Sequence, residues 1–527
     1  MASIYSGLTK SMNISINRVF KSIAKNWRSY ILYVAITLPV LVVFIVTSVS
    51  FYSTPLNYDE AYNLQVSAHL AKEGTYSTNG SVFDGTPKPF DPYISTGPTL
   101  LLPIALVFKI FGVDVWQFRI VLNIIYLGFC IVVVWVVSKA TKRRKVTTLE
   151  SYLYGNFALL LCLAFLGNAI VGQYGYLFST ALGEPLGLFF IVLSILLLQY
   201  GKVRSAALVL GLAVLTKLLL VLLVPFFLVG LFINNKLGLV GKLKHTMITA
   251  LLIAAPSVLF EVYKFISFGL DPSQYLTNVK EFIKFFKVGG GDPSVAITPL
   301  SIMIDRTKSL LTVDYSQFNL TSMIIAGLIL LAVFRLIVFC FKTDIFKRAK
   351  ASMAGINFPV IYVVFGTLIW FGWWLVVSGS PLTRYALIPV TLLIITCVSL
   401  MYAKRPAGKF ELLAIIAITI LLSIVTIINN KTKTTLSSQR ESSAKVIKAF
   451  GDRQLYHFDW WQNPEVQFLT NKTSIPYDFD SIPKTTVWVL ASNLQKSKNK
   501  YGYDGAMALC DDVIKIDYYQ ICKIYGK

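Results

Sequence analysis

The stretch STPLNYDEAYNLQ, residues 53–65, follows directly on a 21-residue apolar run and sets two adjacent carboxylates, Asp59 and Glu60, at its end. How that pair is read depends on the medium around it. Of 527 residues, 55% are hydrophobic and only 14% charged, too apolar and too weakly charged for an ordinary soluble enzyme. The chain reads as a polytopic membrane protein. A net charge of +23 would suit nucleic acid, but the basic residues sit in short clusters between apolar runs rather than along one soluble face, which is the pattern of membrane topology. Nucleic acid is set aside as a partner.

Runs long enough to cross a bilayer, about 20 residues each, lie near 31–51, 120–138, 152–172, 176–200, 247–268, 322–341, 358–378, 385–402 and 411–428. The stretch AALVLGLAVLTKLLLVLLVPFFLVGLFI, 206–233, is too long for one unbroken span and is interrupted by Thr216, Lys217 and Pro225. It predicts two short helices turning near Lys217, which brings the expected total to about 11 transmembrane helices. The arm before the first run and the alternate later loops, among them KATKRRK, KTDIFKRAK and KRPAGK, carry 22 basic residues against two acidic ones, Glu150 and Asp344. The positive-inside rule makes these segments cytoplasmic. The amino terminus is then cytoplasmic and the carboxyl-terminal segment extracytoplasmic, and Asp59 and Glu60 face the exported side. The first run is longer than a signal-peptide core and lacks a small-x-small cleavage site, so it is expected to stay as an anchor of a plasma-membrane (inner-membrane) protein.

The expected organisation has three parts. Residues 1–30 form a basic, roughly amphipathic cytoplasmic arm, read first as a topology signal and second as an interfacial helix. Residues 31–428 form the transmembrane domain, with extracytoplasmic loops 52–119 and 269–321. Residues 429–527, with short aromatic and β-branched runs such as TTVWVLAS and VIKIDYYQICKIY, form a small extracytoplasmic α/β domain. In the first loop a helix is expected from Glu60 to Lys72, stopped at Gly74, followed by GPTLLLPIALVFKIFG, too short and proline-marked to span. In the second, Tyr275, Val279, Phe282, Phe285 and Phe286 make an apolar stripe. Cys130, Cys162, Cys340 and Cys397 read as packing residues within spans. Cys510 and Cys522 share the exported tail, where a disulfide is chemically permitted, although spacing alone does not fix a pairing.

Ionisable groups at membrane depth or at its interface are costly and mark functional candidates. These are Asp59, Glu60, Arg119, Glu184, Lys217, Glu261 and Arg384. Glu261 has a plain alternative in an ion pair with Lys264 one turn away. Glu184 suits either the first turn of a helix or an acceptor site, and Lys217 and Arg384 either snorkel to headgroups or bind an anion. His69 and His457 are too isolated to suggest metal ligands.

In chain order, the acidic pair, FKIFGVDVWQFRIVLNIIYLG, GEPLGLFFIVLSILLL, GLAVLTKLLLVLLVPFFLV and LTRYALIPVTLLI resemble the polyprenyl-phosphate-sugar-dependent glycosyltransferases of the GT-C superfamily. The similarity is greatest to the branch with protein O-mannosyltransferases and aminoarabinose lipid A transferases, and it covers roughly residues 30–400. It implies an all-α, GT-C-like membrane domain and transfer of a sugar, with inversion, from a polyprenyl-phosphate-linked donor to a hydroxyl of an extracytoplasmic acceptor. By matching DEAY, the resemblance assigns the catalytic base to Asp59, with Glu60 and Glu184 as supporting acidic residues. The donor phosphate needs cationic partners, and Lys217, Arg384 and Arg119 are the candidates. No cofactor is required; some relatives depend on a divalent metal, and no metal site is assigned. The acceptor is expected to be lipopolysaccharide or another envelope glycan, with a protein hydroxyl as the variant. A transporter or flippase of lipid-linked sugars is the competing class, disfavoured by the absence of an internal repeat.

Overall fold

The computed structural model describes residues 31–288, 303 and 358–526, apart from 32, 35, 81–84, 143–145, 169–176, 377–383, 404–408, 430–434, 458–462, 479–484, 493–507 and 518. The amino-terminal arm, the glycine run after 288, the apolar run 322–341 and Cys340 therefore lie outside the described residues.

The opening stretch builds its own helix. Asn57 caps α2 (Tyr58–Glu73) by accepting from the Asp59 backbone N–H at 2.9 Å, and Glu60 reaches back to the Asn57 N–H at 3.3 Å. The reciprocal cap satisfies donors that a helix end otherwise leaves orphaned. Gly74 ends the helix at φ 73°, where a side chain would be strained. Before it runs α1 (Ile36–Phe51). After it come α3 (Pro98–Phe111) and α4 (Val115–Thr141), the latter capped by Asp114 and starting five residues before the expected span, so that Arg119 belongs to its second turn.

Further along lie α5 (Thr148–Asn168), α6 (Gly183–Gln199) and α7 (Val203–Thr216). The chain breaks as expected at Lys217, whose backbone is extended, and runs through a 3₁₀ segment (Leu218–Leu223) into α8 (Val224–Asn234). Then come α9 (Leu239–Ser267) and α10 (Pro272–Val288), followed by α11 (Phe358–Val376), α12 (Arg384–Ala403) and α13 (Lys409–Asn429). A continuous apolar core joins α4, α5, α6, α7, α11 and α12, with Trp370 and Trp374 fully buried.

The outer surface is apolar too. On α9, Leu243, Met247, Leu251, Leu259 and Ile266 are exposed, while Thr249, Ile253, Pro256 and Lys264 face inward. A soluble bundle shows the reverse; an exposed apolar surface of this extent needs lipid or protein against it. Among the described residues α4 and α9 are long and apolar enough to cross a membrane, and eight further apolar helices are shorter. At 1.5 Å per residue both exceed the roughly 30 Å of a hydrocarbon core. On α10 the inward stripe is Tyr275, Asn278, Val279 and Phe282, with Asn278 donating to the Phe90 carbonyl at 2.9 Å. Glu261 pairs with Lys264 at 3.5 Å, the plain reading.

The first long loop holds a short antiparallel pair, β1 (Ser77–Thr78) with β2 (Lys88–Pro89), and the carboxyl-terminal segment contains a larger sheet. Its order is β4 (Ile475–Pro476), β3 (Tyr456–His457), β5 (Val487–Ser492), β7 (Tyr519–Ile524), β6 (Asp512–Ile516). β3 runs parallel to both its neighbours, and β7 is antiparallel to β5 and β6. α14 (Leu436–Phe450) covers one face through Val446 and Phe450 against Leu490, Tyr519 and Ile521, and α15 (Asn463–Thr470) lies between the sheet and α2. Cys510 is bonded to Cys522 of β7.

Candidate active site

The two carboxylates of the opening stretch have different surroundings. Glu60 is fully buried and ion-paired with Arg119, Nη1 to Oε1 at 3.0 Å and Nη2 to Oε2 at 3.3 Å. Its Oε1 also accepts the Ala181 N–H at 2.7 Å. A bidentate, charge-assisted pair of this kind fixes a helix in position more than it serves a ligand. Asp59, one residue earlier and on another face of the turn, is half-buried.

The Arg119 guanidinium, a candidate for the donor phosphate in the sequence reading, is committed to Glu60 in this structure. Its guanidinium is 0% exposed, is held by Glu60 and by the Thr54 carbonyl at 3.4 Å, and stacks on Phe118. The sequence could not reveal this, because 59 residues separate the partners and only the fold, with α3 packed against both α2 and α4, brings them together.

Lys217 occupies the break between α7 and the 3₁₀ segment, 5% exposed, 3.2 Å from Glu184 Oε1 and donating to Ser95 Oγ at 3.1 Å. Glu184 opens α6. Close backbone approach makes this possible: a Cβ on Gly97 would lie 1.6 Å from the Leu215 carbonyl oxygen, and one on Gly183 would lie 2.6 Å from that of Thr216. The Gly97 N–H donates to the Thr216 carbonyl at 2.8 Å. A further tie closes the ring, since Asn63 Nδ2 of α2 donates to Thr96 Oγ1 at 2.9 Å and to the Ala181 carbonyl at 3.2 Å.

Asp59, Glu60, Arg119, Glu184 and Lys217 are thus gathered by three short connections, 94–97, 180–182 and the break at 217. Sequence reasoning missed Asn63, Ser95, Thr96 and Ala181, ordinary residues whose role is to bond one connection to the next. Arg384 begins α12, and its side chain lies outside the described residues. Among the described residues no three of His, Cys, Asp and Glu converge as a metal-binding set.

The carboxyl-terminal segment clasps the same region. Leu436 N donates to the Ser53 carbonyl at 2.8 Å, and the Gln439 amide both accepts from Leu56 N at 2.8 Å and donates to its carbonyl at 3.0 Å. Asn79 Nδ2 donates to Gln467 Oε1 at 2.8 Å, and Lys72 to Asn471 at 2.7 Å. Arg440 pairs with Asp114.

The described residues form a helical bundle in which the break at Lys217 and the first long loop converge on one acidic turn, with a small sheet domain against it. No protein-family model matches the sequence, and no curated protein sequence matches it. Solved structures do. ArnT from Cupriavidus metallidurans bound to undecaprenyl phosphate superposes with a TM-score of 0.56 at 13% identity, over 95% of this chain and 98% of that one. The archaeal oligosaccharyltransferase AglB from Archaeoglobus fulgidus, in complex with an inhibitory peptide and a dolichol-phosphate, gives 0.50 at 11% identity, over 93% of this chain and 73% of that one. At such identities the likeness is one of fold, and it matches the resemblance read from the sequence.

Proposed function

We propose that this protein is an integral-membrane glycosyltransferase that moves a sugar from a polyprenyl-phosphate-linked donor to a hydroxyl of an extracytoplasmic acceptor. The observation that carries the reading is that the turn bearing the half-buried Asp59 is anchored by Glu60 on Arg119, and that Asn63 of the same helix ties it through Thr96 to the connection where Ser95 bonds Lys217. Both solved structures named above contain a long-chain lipid phosphate, which supports a donor of that kind.

In the proposed reaction Asp59 takes the proton of the acceptor hydroxyl as its oxygen attacks the anomeric carbon. The bond from that carbon to the phosphate oxygen breaks, and its electron pair leaves with the polyprenyl phosphate, a leaving group that needs no protonation. Lys217 and Arg384 hold the phosphate. A single displacement inverts the anomeric centre. The charge distribution of the sequence, which favours an exported carboxyl terminus, supports chemistry on the outer face of the plasma membrane, with an envelope glycan such as lipopolysaccharide as the proposed acceptor.

The test is transfer by purified protein in nanodiscs from an undecaprenyl-phosphate sugar. Asp59→Asn should abolish transfer while the protein still elutes as a folded species; wild-type turnover would remove Asp59 from catalysis. Movement of labelled lipid-linked sugar across a vesicle membrane without its consumption would instead establish a transporter.

A further inference from the structure

Glu465 is a buried carboxyl that the proposed reaction leaves unused. It sits on the first turn of α15, 4% exposed, and among the described residues its Oε2 has no hydrogen-bond partner. The one hydrogen bond its carboxyl makes is to its own backbone N–H, and burying the other oxygen without a partner is costly, so a purely structural residue here would be apolar or fully bonded. Its neighbours show the contrast: Asn463, Gln467, Ser474 and His457 bond to one another at 2.5–3.0 Å without it.

Position supplies the second observation. α15 packs on α2, and Glu465 lies near enough to Asp59 and Glu60 to feel both charges. The clasps at Leu56, Asn79 and Lys72 hold it there. Resting on the Asp59 reading above, we infer that Glu465 is a specificity-determining residue of the same site, carried in by the carboxyl-terminal domain to hydrogen-bond a second oxygen of the acceptor beside the hydroxyl that Asp59 deprotonates. An acceptor with two adjacent oxygens is a polyol, which favours a glycan over an isolated serine or threonine hydroxyl.

The protonation state fits a donor. Burial first, and the charges of Asp59 and Glu60 after it, push the Glu465 carboxyl up to about 8, so that at neutral pH it keeps its proton and can donate. The other ionisable groups on the surrounding elements are Tyr58, Tyr62, His69, Lys72 and Glu73 of α2 and Tyr456 and His457 of β3, together with Arg119 behind Glu60. The charges of α14, Arg440, Glu441, Lys445 and Lys448, are on its exposed side.

The experiment uses full-length protein in nanodiscs, an undecaprenyl-phosphate sugar as donor, and lipopolysaccharide from a strain lacking this chain as acceptor. Glu465→Ala should raise the acceptor KM about tenfold, the loss of one hydrogen bond to a buried group, with the donor KM unmoved. Glu465→Gln, whose amide donates at any pH, should carry the alkaline limb of the pH profile upward by at least one unit. A wild-type acceptor KM in the alanine variant, or a wild-type alkaline limb in the glutamine variant, overturns the inference. So does transfer to a serine peptide that ignores Glu465. If Asp59→Asn stays active, the functional reading itself falls; if it is dead while both Glu465 variants behave as wild type, only this inference falls.

Discussion

Replacing Arg119 with Met tests how the site is built. The side chain removed is fully buried and bonded twice to a fully buried Glu60, so the variant strands a carboxylate whose remaining donors are the Ala181 and Asn57 backbone N–H groups. Breaking a buried pair in this way costs about 3–5 kcal/mol. The double variant Glu60→Gln with Arg119→Met removes both charges yet keeps an amide oxygen for Ala181, and should cost only about 1–2 kcal/mol. The difference, about 2–3 kcal/mol, is what removing the second charge recovers; with the Glu60→Gln single variant it completes a cycle that gives the coupling energy. It is read from thermal unfolding in detergent by fluorescence-detected size exclusion, as a melting temperature that drops in the single variant and partly recovers in the double. Equal melting temperatures for single and double variants would refute the reasoning. A single variant that melts like wild type but no longer binds undecaprenyl phosphate would return Arg119 to the phosphate.

Gly97→Ala should cost about 3 kcal/mol by overpacking and reduce transfer, because the Leu215 carbonyl must move and the break at Lys217 with it; retention of both stability and transfer would show that the approach is not required. Arg384→Ala should raise the apparent donor KM, and an unchanged value would place phosphate recognition elsewhere. Cys510→Ser with Cys522→Ser should lower the stability of the sheet domain by about 3 kcal/mol, the loop-closure value for a short loop, seen as faster proteolysis between 508 and 526. For Glu465 the folded value lies above the ordinary 4.5, at about 8, so the folded state holds a proton that the unfolded state has released. Stability therefore falls as pH rises between those values and is level above them. The gap in melting temperature between Glu465→Gln and wild type should widen from about pH 5 to about pH 8; a constant gap would contradict the burial of this carboxyl.

Local chemistry made several features legible in the sequence: the helix after Asn57 and its stop at Gly74, the helix break at Lys217, the Glu261–Lys264 pair, and a sheet-bearing carboxyl-terminal domain. Each depends on residues within a few positions of one another, or on composition. The apolar runs and the charge clusters similarly specify a membrane protein without reference to any contact. What only the tertiary structure decided is the assignment within the acidic turn. The sequence places Asp59 and Glu60 side by side, and Arg119 and Lys217 are equally eligible cations. The packing of α3 against both α2 and α4 brings Glu60 to Arg119, and the approach of Gly97 and Gly183 to the end of α7 brings Lys217 to Glu184. Glu465 was invisible for the same reason: 406 positions separate it from Asp59, and in the sequence it is an acid in the first turn of a short helix. A buried ion pair or carboxyl is defined by exclusion of water from both partners, and that exclusion exists only once distant segments have closed over them.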